Sequence, residues 1–248
     1  MSGHSKWATI KRKKAANDSK RGKLFAKLIR QIEISARVGG ADIGGNATLA
    51  AAVAKARASA VPMDNIERAI ARATGSADTT QYEEIWYEGY AAGGVALMVQ
   101  VLTDNRNRAA SEVRSAFSRN NGNLGEPGSV GYLFARKGFI EVVGSEDEVL
   151  LAALDAGAED VRTGEGVVEV VTAPTELVSV QRALERSGFK VEVAELTQEP
   201  KTAVAVDGAT AGKVLRLVEA LEDLDDVQMV YANYEIPDEV MASLAGSG

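Results

Sequence analysis

Apolar residues recur along this chain with two different periods, and the change from one to the other falls near residue 80. From Leu24, the apolar positions Leu24, Phe25, Leu28, Ile29 and Ile32 fill an arc of roughly 140° at about 100° per residue, as an amphipathic helix requires. Gly39, Gly40, Gly44 and Gly45 end that helix. A second helix is predicted from about Thr48 to Ala60, stopped by Pro62. A third opens at Asp64-Asn65-Ile66-Glu67, which has capping-box spacing with Asp64 as the N-cap. It closes near Thr74-Gly75, where glycine can take the left-handed position after a helix. The first 79 residues therefore read as helical. Gly75 to Gln81 is small and polar and reads as a linker.

Beyond the linker the pattern is that of strands alternating with helices. Tyr82 to Tyr90 and Val95 to Leu102 read as strands around an Ala92-Gly93-Gly94 turn. Asn105 to Arg119 reads as a helix that buries Ala109, Ala110, Val113, Ala116 and Phe117. A glycine-rich loop (Gly122, Gly125, Gly128) leads into an extended stretch at Val130 to Phe134. An ordered series follows: strand Phe139–Val143, helix Asp147–Ala156, a hairpin of Asp160–Thr163 with Val167–Val171, helix Thr175–Ser187, strand Lys190–Thr197. That order, β-α-β-β-α-β, is the ferredoxin-like pattern. The tail adds a strand at Ala203–Val206, a helix at Ala209–Leu221 and a strand at Val227–Tyr234. An isolated hairpin is marginal, so the tail strands are expected to complete the sheet begun at Tyr82. The fold class is α+β and multidomain. The expected units are a basic helical domain at 1–79, a discontinuous α+β domain at 80–136 plus 202–248, and a ferredoxin-like domain at 137–201.

Charge changes this picture more than composition does. The first 37 residues hold eleven basic and two acidic side chains, a net of +9, and the remainder holds 17 basic and 33 acidic, a net of −16. The total of −7 argues against a polyanionic partner, but a local field steers a phosphate backbone, and the total does not. On the first helix Lys20, Lys23, Lys27, Arg30 and Arg37 fall opposite the apolar arc. One face can bury while the other presents cations to a polyanion; the bland alternative is a solvated face. Like charges at i,i+4 destabilise a helix unless something neutralises them. A transit peptide is a further alternative for the basic head. The chain has no cysteine, which removes disulfides, thiolate metal sites and a cysteine nucleophile. No secretory apolar region follows Met1, and no apolar run reaches the roughly 20 residues that span a bilayer.

Each remaining motif has a structural and a functional reading. Trp7, among the cations, can stack on an unpaired base or anchor the N-terminus to the helical core. His4 is the single histidine and stands where pre-organised chemistry is poorly served. Thr103-Asp104-Asn105-Arg106-Asn107-Arg108 lies where a strand hands over to a helix. Asp104 can cap that helix, while Asn105, Arg106 and Arg108 offer donors suited to phosphate. Gly122-Asn123-Leu124-Gly125-Glu126-Pro127-Gly128-Ser129 lacks the Gly-Lys-Ser/Thr ending of a phosphate loop and reads as a shaped turn. The acid clusters Glu146-Asp147-Glu148 and Glu222-Asp223-Asp225-Asp226 read as solvated surface, and no pair among them is singled out as catalytic.

Residues 3–32, GHSKWATIKRKKAANDSKRGKLFAKLIRQI, closely resemble the opening signature of the YebC/PmpR family, whose mitochondrial relatives activate translation of a cytochrome oxidase subunit. The resemblance continues at Pro62-Met63-Asp64-Asn65-Ile66-Glu67-Arg68-Ala69-Ile70, Tyr87-Glu88-Gly89-Tyr90, Thr103 to Arg108, Asn123-Leu124-Gly125 and Gly128-Ser129-Val130. Ala91-Ala92 stands where the family usually has Gly-Pro, a change expected to alter the turn. The resemblance implies three domains, the middle one discontinuous, in a cytoplasmic, non-enzymatic protein. Some members are labelled probable transcriptional regulators, and others act on ribosomes at difficult stretches such as consecutive prolines.

The sequence therefore reads as a nucleic-acid-binding regulator of gene expression without catalysis. By the family label it is a DNA-binding transcriptional regulator. The alternative is a ribosome-associated translation factor that binds RNA. The candidate contacts are Lys6, Trp7, Lys11, Arg12, Lys13, Lys14, Lys20, Arg21, Lys23, Lys27, Arg30, Asn105, Arg106 and Arg108. The partner is DNA or ribosomal RNA, with or without the ribosome itself. No membrane, small-molecule substrate, cofactor or metal is expected. An enzyme using a cleft between domains lacks its nucleophile, base and cofactor motifs. A protein-binding scaffold is the remaining rival.

Overall fold

The computed structural model describes residues 18–75, 82–163, 167–237 and 240. Its first layer is three helices, α1 (Asp18–Gly39), α2 (Ala47–Ala58) and α3 (Met63–Thr74). Leu28, Ile32 and Ala36 on α1 meet Leu49, Val53 and Ala56 on α2 and Ile66, Ala69 and Ala73 on α3, all buried. The spacing of three to four residues puts each set on one stripe, and the alanines let the helices approach closely. Asn46 ties the first corner. Its side-chain oxygen caps α2 by accepting from the Leu49 N–H at 3.0 Å, and its amide donates to the carbonyls of Ser35 and Gly40. A Cβ on Gly39 would lie 2.5 Å from that amide, so any side chain there would push Asn46 off its partners.

Two details at α3 differ from the expected caps. The helix starts at Met63 with Pro62 at the N-cap position and no side-chain cap; Asp64 lies inside the first turn, where it still complements the helix dipole. Gly75 is extended, with φ −72° and ψ 144°, so α3 ends without a left-handed glycine.

The second unit is an antiparallel sheet of β1 (Glu83–Tyr90), β2 (Ala96–Thr103), β3 (Asn123–Leu124) and β9 (Val227–Ala232), in the order β3-β1-β2-β9. The tail thus returns to this sheet, with β9 paired along β2. Helices α4 (Arg106–Arg119) and α7 (Gly208–Glu222) cover one face. There Leu97, Val99 and Val101 pack against Val113, Phe117, Val214, Leu217 and Leu221. On the other face Ala96, Met98 and Tyr231 pack with Val130, Phe134 and Trp86, and Trp86 stacks on Tyr231 at 6.0 Å. Being buried on both sides explains why Val95–Leu102 is apolar at every position but Gln100 and shows no regular alternation. Val204–Ala205 (β8) and Tyr234–Glu235 (β10) add a short parallel pair.

The third unit is β4 (Phe134–Val143), α5 (Glu146–Asp155), β5 (Asp160–Thr163), β6 (Val168–Thr172), α6 (Leu177–Arg186) and β7 (Lys190–Pro200). Its sheet order, β5-β6-β4-β7, is that of the ferredoxin-like fold, and every neighbouring pair is antiparallel. The stretch expected to be extended at Val130–Phe134 is instead a single 3₁₀ turn, Gly131–Leu133, with β4 beginning at Phe134. The acids Glu146, Asp147 and Glu148 occupy the first turn of α5, where negative charge is favourable. Among the described residues no helix is long and apolar enough to cross a membrane.

Candidate nucleic-acid interface

The cationic stripe on α1 is not free. Lys23, Lys27, Arg30 and Arg37 follow one another at helical spacing, and the structure turns this stripe onto the second unit. Lys23 donates to the Asp223 carbonyl at 3.1 Å and lies 3.4 Å from its carboxylate. Lys27 donates to the Glu222 carbonyl at 2.5 Å. These oxygens close the C-terminal end of α7, where the last carbonyls have no partner inside the helix and the dipole is negative. Arg30 donates to the carbonyls of Leu102 and Asp225 and to the Asp226 carboxylate at 2.8 Å. Arg30 and Arg37 also stand over the ring of Tyr82, at 5.6 and 5.9 Å.

Asp226 is the node of this contact. It is 3% exposed. Its carboxylate accepts from Thr103 Oγ1 at 2.7 Å, from Arg30 at 2.8 Å and from Arg108 at 2.8 Å. Burial alone would raise its pKa. The Thr103 and Arg108 hydrogen bonds and the two guanidinium charges outweigh burial and hold the carboxyl below its ordinary value. The expectation of solvated surface for the 222–226 cluster is therefore corrected at Asp226, while Asp223 and Asp225 are exposed as expected. Asp226 is buried because three donors on other elements converge on it, and the neighbouring carbonyls receive the α1 cations.

The Thr103–Arg108 turn serves the same node. Asn105, not Asp104, caps α4, its side chain accepting from the Arg108 N–H at 3.1 Å. Asp104 instead pairs with the Arg108 side chain at 2.8 Å. The hydrogen bond to Asp226, then that to Asp104, holds the Arg108 guanidinium firmly protonated. Arg106 points outward, 72% exposed, and comes only within 3.9 Å of Glu83.

The glycine-rich loop is a cradle for an anion, filled from within the chain. The Glu88 carboxylate accepts from the backbone N–H groups of Gly128 at 2.9 Å and of Val130 and Gly131 at 2.7 Å each. Burial would raise the Glu88 pKa, but these three donors outweigh it and lower it. A loop whose donors are already taken is a turn, as its missing lysine suggested.

Of the predicted contacts, Lys6, Trp7, Lys11, Arg12, Lys13 and Lys14 lie outside the described residues, and Lys20 and Arg21 fall on the first turn of α1. Lys23, Lys27, Arg30 and Arg108 are brought together around the α7 C-terminus, Asn105 caps α4, and Arg106 faces solvent. Sequence reading missed Asp226, Thr103 and Tyr82 as their partners. The available signal was the unbalanced i,i+4 charge on α1, which demanded a neutralising partner. Two surface depressions, of about 610 and 540 Å³, lie on α3 and between α1 and α3 respectively. Asp64, Glu67 and Arg68 line the first, and Phe25, Ile29 and Arg72 are among the residues lining the second.

Comparison with known proteins places the whole chain. Residues 5–76 match a family model described as the TACO1/YebC protein N-terminal domain, and residues 82–234 match one described as the TACO1/YebC second and third domain. A protein of Acidothermus cellulolyticus named "Probable transcriptional regulatory protein" is 57% identical over 98% of this chain and all of its own length. One of the same name from Thermobifida fusca is 56% identical over 99% of this chain and all of its own length. A crystal structure of a conserved hypothetical protein from Aquifex aeolicus superposes with a TM-score of 0.83 at 50% identity, covering 90% of this chain and 94% of that one.

Proposed function

We propose that this chain, which belongs to the TACO1/YebC family, is a non-enzymatic regulator of gene expression that binds nucleic acid through its basic N-terminal segment. One observation carries the reading. The dock uses Lys23, Lys27 and Arg30, and upstream of it residues 1–21 still hold seven cations, Lys6, Lys11, Arg12, Lys13, Lys14, Lys20 and Arg21, against the single acid Asp18. Such a cluster supplies the sequence-independent part of binding to phosphates. The relatives' name, "Probable transcriptional regulatory protein", favours the transcriptional version of this reading, in which the chain acts on DNA in the cytoplasm. A second reading, a ribosome-associated factor on RNA, is favoured by the side chains of that segment. Five of the seven are lysines, which track phosphate but read base edges poorly, and Trp7 can stack on an unpaired base.

The test reverses Lys11, Arg12, Lys13 and Lys14 to Glu in the full chain. Binding to duplex DNA and to structured RNA should be lost while circular dichroism is unchanged. Full binding by the reversed variant overturns the reading. Competition between promoter fragments, structured RNA and ribosomes at matched salt then separates the two versions. A hundredfold preference for promoter DNA, about 2.7 kcal/mol, selects the transcriptional one.

A further inference from the structure

Among the described helices of the acidic body α4 is the most basic, and the dock leaves its outer face uncovered. α4 carries Arg106, Arg108, Arg114 and Arg119 against the single acid Glu112. Its inward arc is Ala109, Val113, Ala116 and Phe117. Its outward arc presents Asn107, Ser111, Arg114, Ser118 and Arg119, all exposed. Arg108 is committed to Asp104 and Asp226. Among the described residues Arg114 and Arg119 have no ion-pair partner. Burial raises the Tyr87 pKa and the charges of Arg106 and Arg114 pull it back, which sets both guanidiniums near one phenol.

The composition of this face fits one kind of ligand. A helix face evolved only for solubility on an acidic body gains from Glu–Lys pairs at i,i+4. This face has no lysine and offers Arg, Asn and Ser, whose donors match phosphate oxygens, with Arg able to engage them in bidentate fashion. The fourteen residues run about 21 Å, the length of about six base steps at 3.4 Å each. The helix also begins where the basic head docks, because Arg108 and Arg30 share Asp226 at 2.8 Å each. We propose that the solvent face of α4 is a second phosphate-backbone contact, engaging the same nucleic acid that residues 1–21 bind. This inference rests on the nucleic-acid reading above and adds a surface to it.

The experiment uses the full chain and two labelled probes, a 20-nucleotide single-stranded RNA and a 20-base-pair DNA duplex, titrated between 50 and 200 mM salt. Arg114→Ala with Arg119→Ala removes two contacts. The slope of log K against log salt should become shallower by about 1.8 on duplex or about 1.4 on single strand, and affinity should fall about tenfold. The probe that shows the change identifies the nucleic acid. Arg114→Lys with Arg119→Lys keeps the charges and should retain the slope. Arg182→Ala with Arg186→Ala, on α6, removes the same charge elsewhere and should change nothing. A slope equal to wild type in the α4 alanine variant overturns the proposal, as does an equal drop in the α6 control. If the wild type binds and reversal of Lys11–Lys14 abolishes binding while the α4 variant matches wild type, this inference alone fails. If the wild type binds neither probe, the nucleic-acid reading fails and takes this inference with it.

Discussion

Replacing Asp226 by Ala should destabilise the protein by about 3 kcal/mol, because the substitution strands donors from three elements at once. The hydroxyl of Thr103, itself 1% exposed, loses its acceptor at 2.7 Å, worth about 1 kcal/mol. Arg30 has a side chain 22% exposed and retains two carbonyl partners, so its bond is taken at the low end for a charged donor, about 1.5 kcal/mol. Arg108 is 43% exposed and keeps Asp104, so solvent and the second acid reduce its share to about 0.5 kcal/mol. For a chain of this size that corresponds to a fall in Tm of about 6–12 °C. Urea unfolding, followed by tryptophan fluorescence and by circular dichroism, reads the change as a shifted midpoint at constant m. A double-mutant cycle with Arg30→Ala isolates the contact between the first two units and should return about 1.5 kcal/mol of coupling. Stability of Asp226→Ala within about 0.5 kcal/mol of wild type, or additive behaviour in the cycle, refutes the argument that this carboxylate joins α1 to the sheet.

Both depressed carboxyls, with ordinary values of 3.8 for Asp226 and 4.5 for Glu88, contribute stability that is intact at neutral pH and is lost as pH falls through their folded-state values. Acid unfolding below about pH 4.5 should therefore be shallower in Glu88→Gln than in wild type, and superimposable curves contradict the assignment. Gly89→Ala should cost about 1–3 kcal/mol, because its Cβ would lie 2.5 Å from the Asn123 carbonyl and 2.7 Å from the Phe117 ring. Gly212→Ala has the opposite sign, about 0.5–1 kcal/mol of stabilisation, since the site is mid-helix and its nearest neighbour is the Arg216 side chain at 3.7 Å; thermal melts of the two variants check both. Limited proteolysis should cut within 75–81, whose residues are small and polar, and leave a folded fragment beginning near Tyr82; an unfolded fragment contradicts the linker.

What the chain reveals in advance follows from the range of each signal. The β-α-β-β-α-β order is written in local periodicity, so the ferredoxin-like sheet was legible before its order β5-β6-β4-β7 was seen. The return of β9 to β2 needed one inference beyond periodicity, that a lone hairpin lacks partners. Caps were legible only to within a residue. Asp104 and Asn105 can both cap α4, and the backbone geometry decides for Asn105 while Asp104 goes to Arg108. The α1 stripe shows where sequence reading ends. Its amphipathic arc says which side chains leave the helix core, and says nothing of what they meet. Their acceptors lie about 200 positions away along the chain. A basic run reads as a polyanion contact and a distant acidic run as solvated surface until the fold places one on the other.

That placement changes what a salt titration counts. A cation paired inside the protein neutralises no phosphate and releases none of the counterions condensed on the nucleic acid, so it adds nothing to the slope. If all eleven cations of the first 37 residues met a duplex backbone, the slope would approach about −10; the seven upstream of the dock give about −6. The distinction can be made pairwise. Lys13→Ala with Lys14→Ala should make the slope shallower by about 1.8, whereas Lys23→Ala with Lys27→Ala should leave it unchanged, because the removed ammonium groups faced Asp223 and Glu222. Equal effects from the two pairs would mean that the α1 stripe leaves α7 when nucleic acid binds. The acid at the α7 terminus would then compete for the same cations as the phosphates, and neutralising Asp223 would tighten binding.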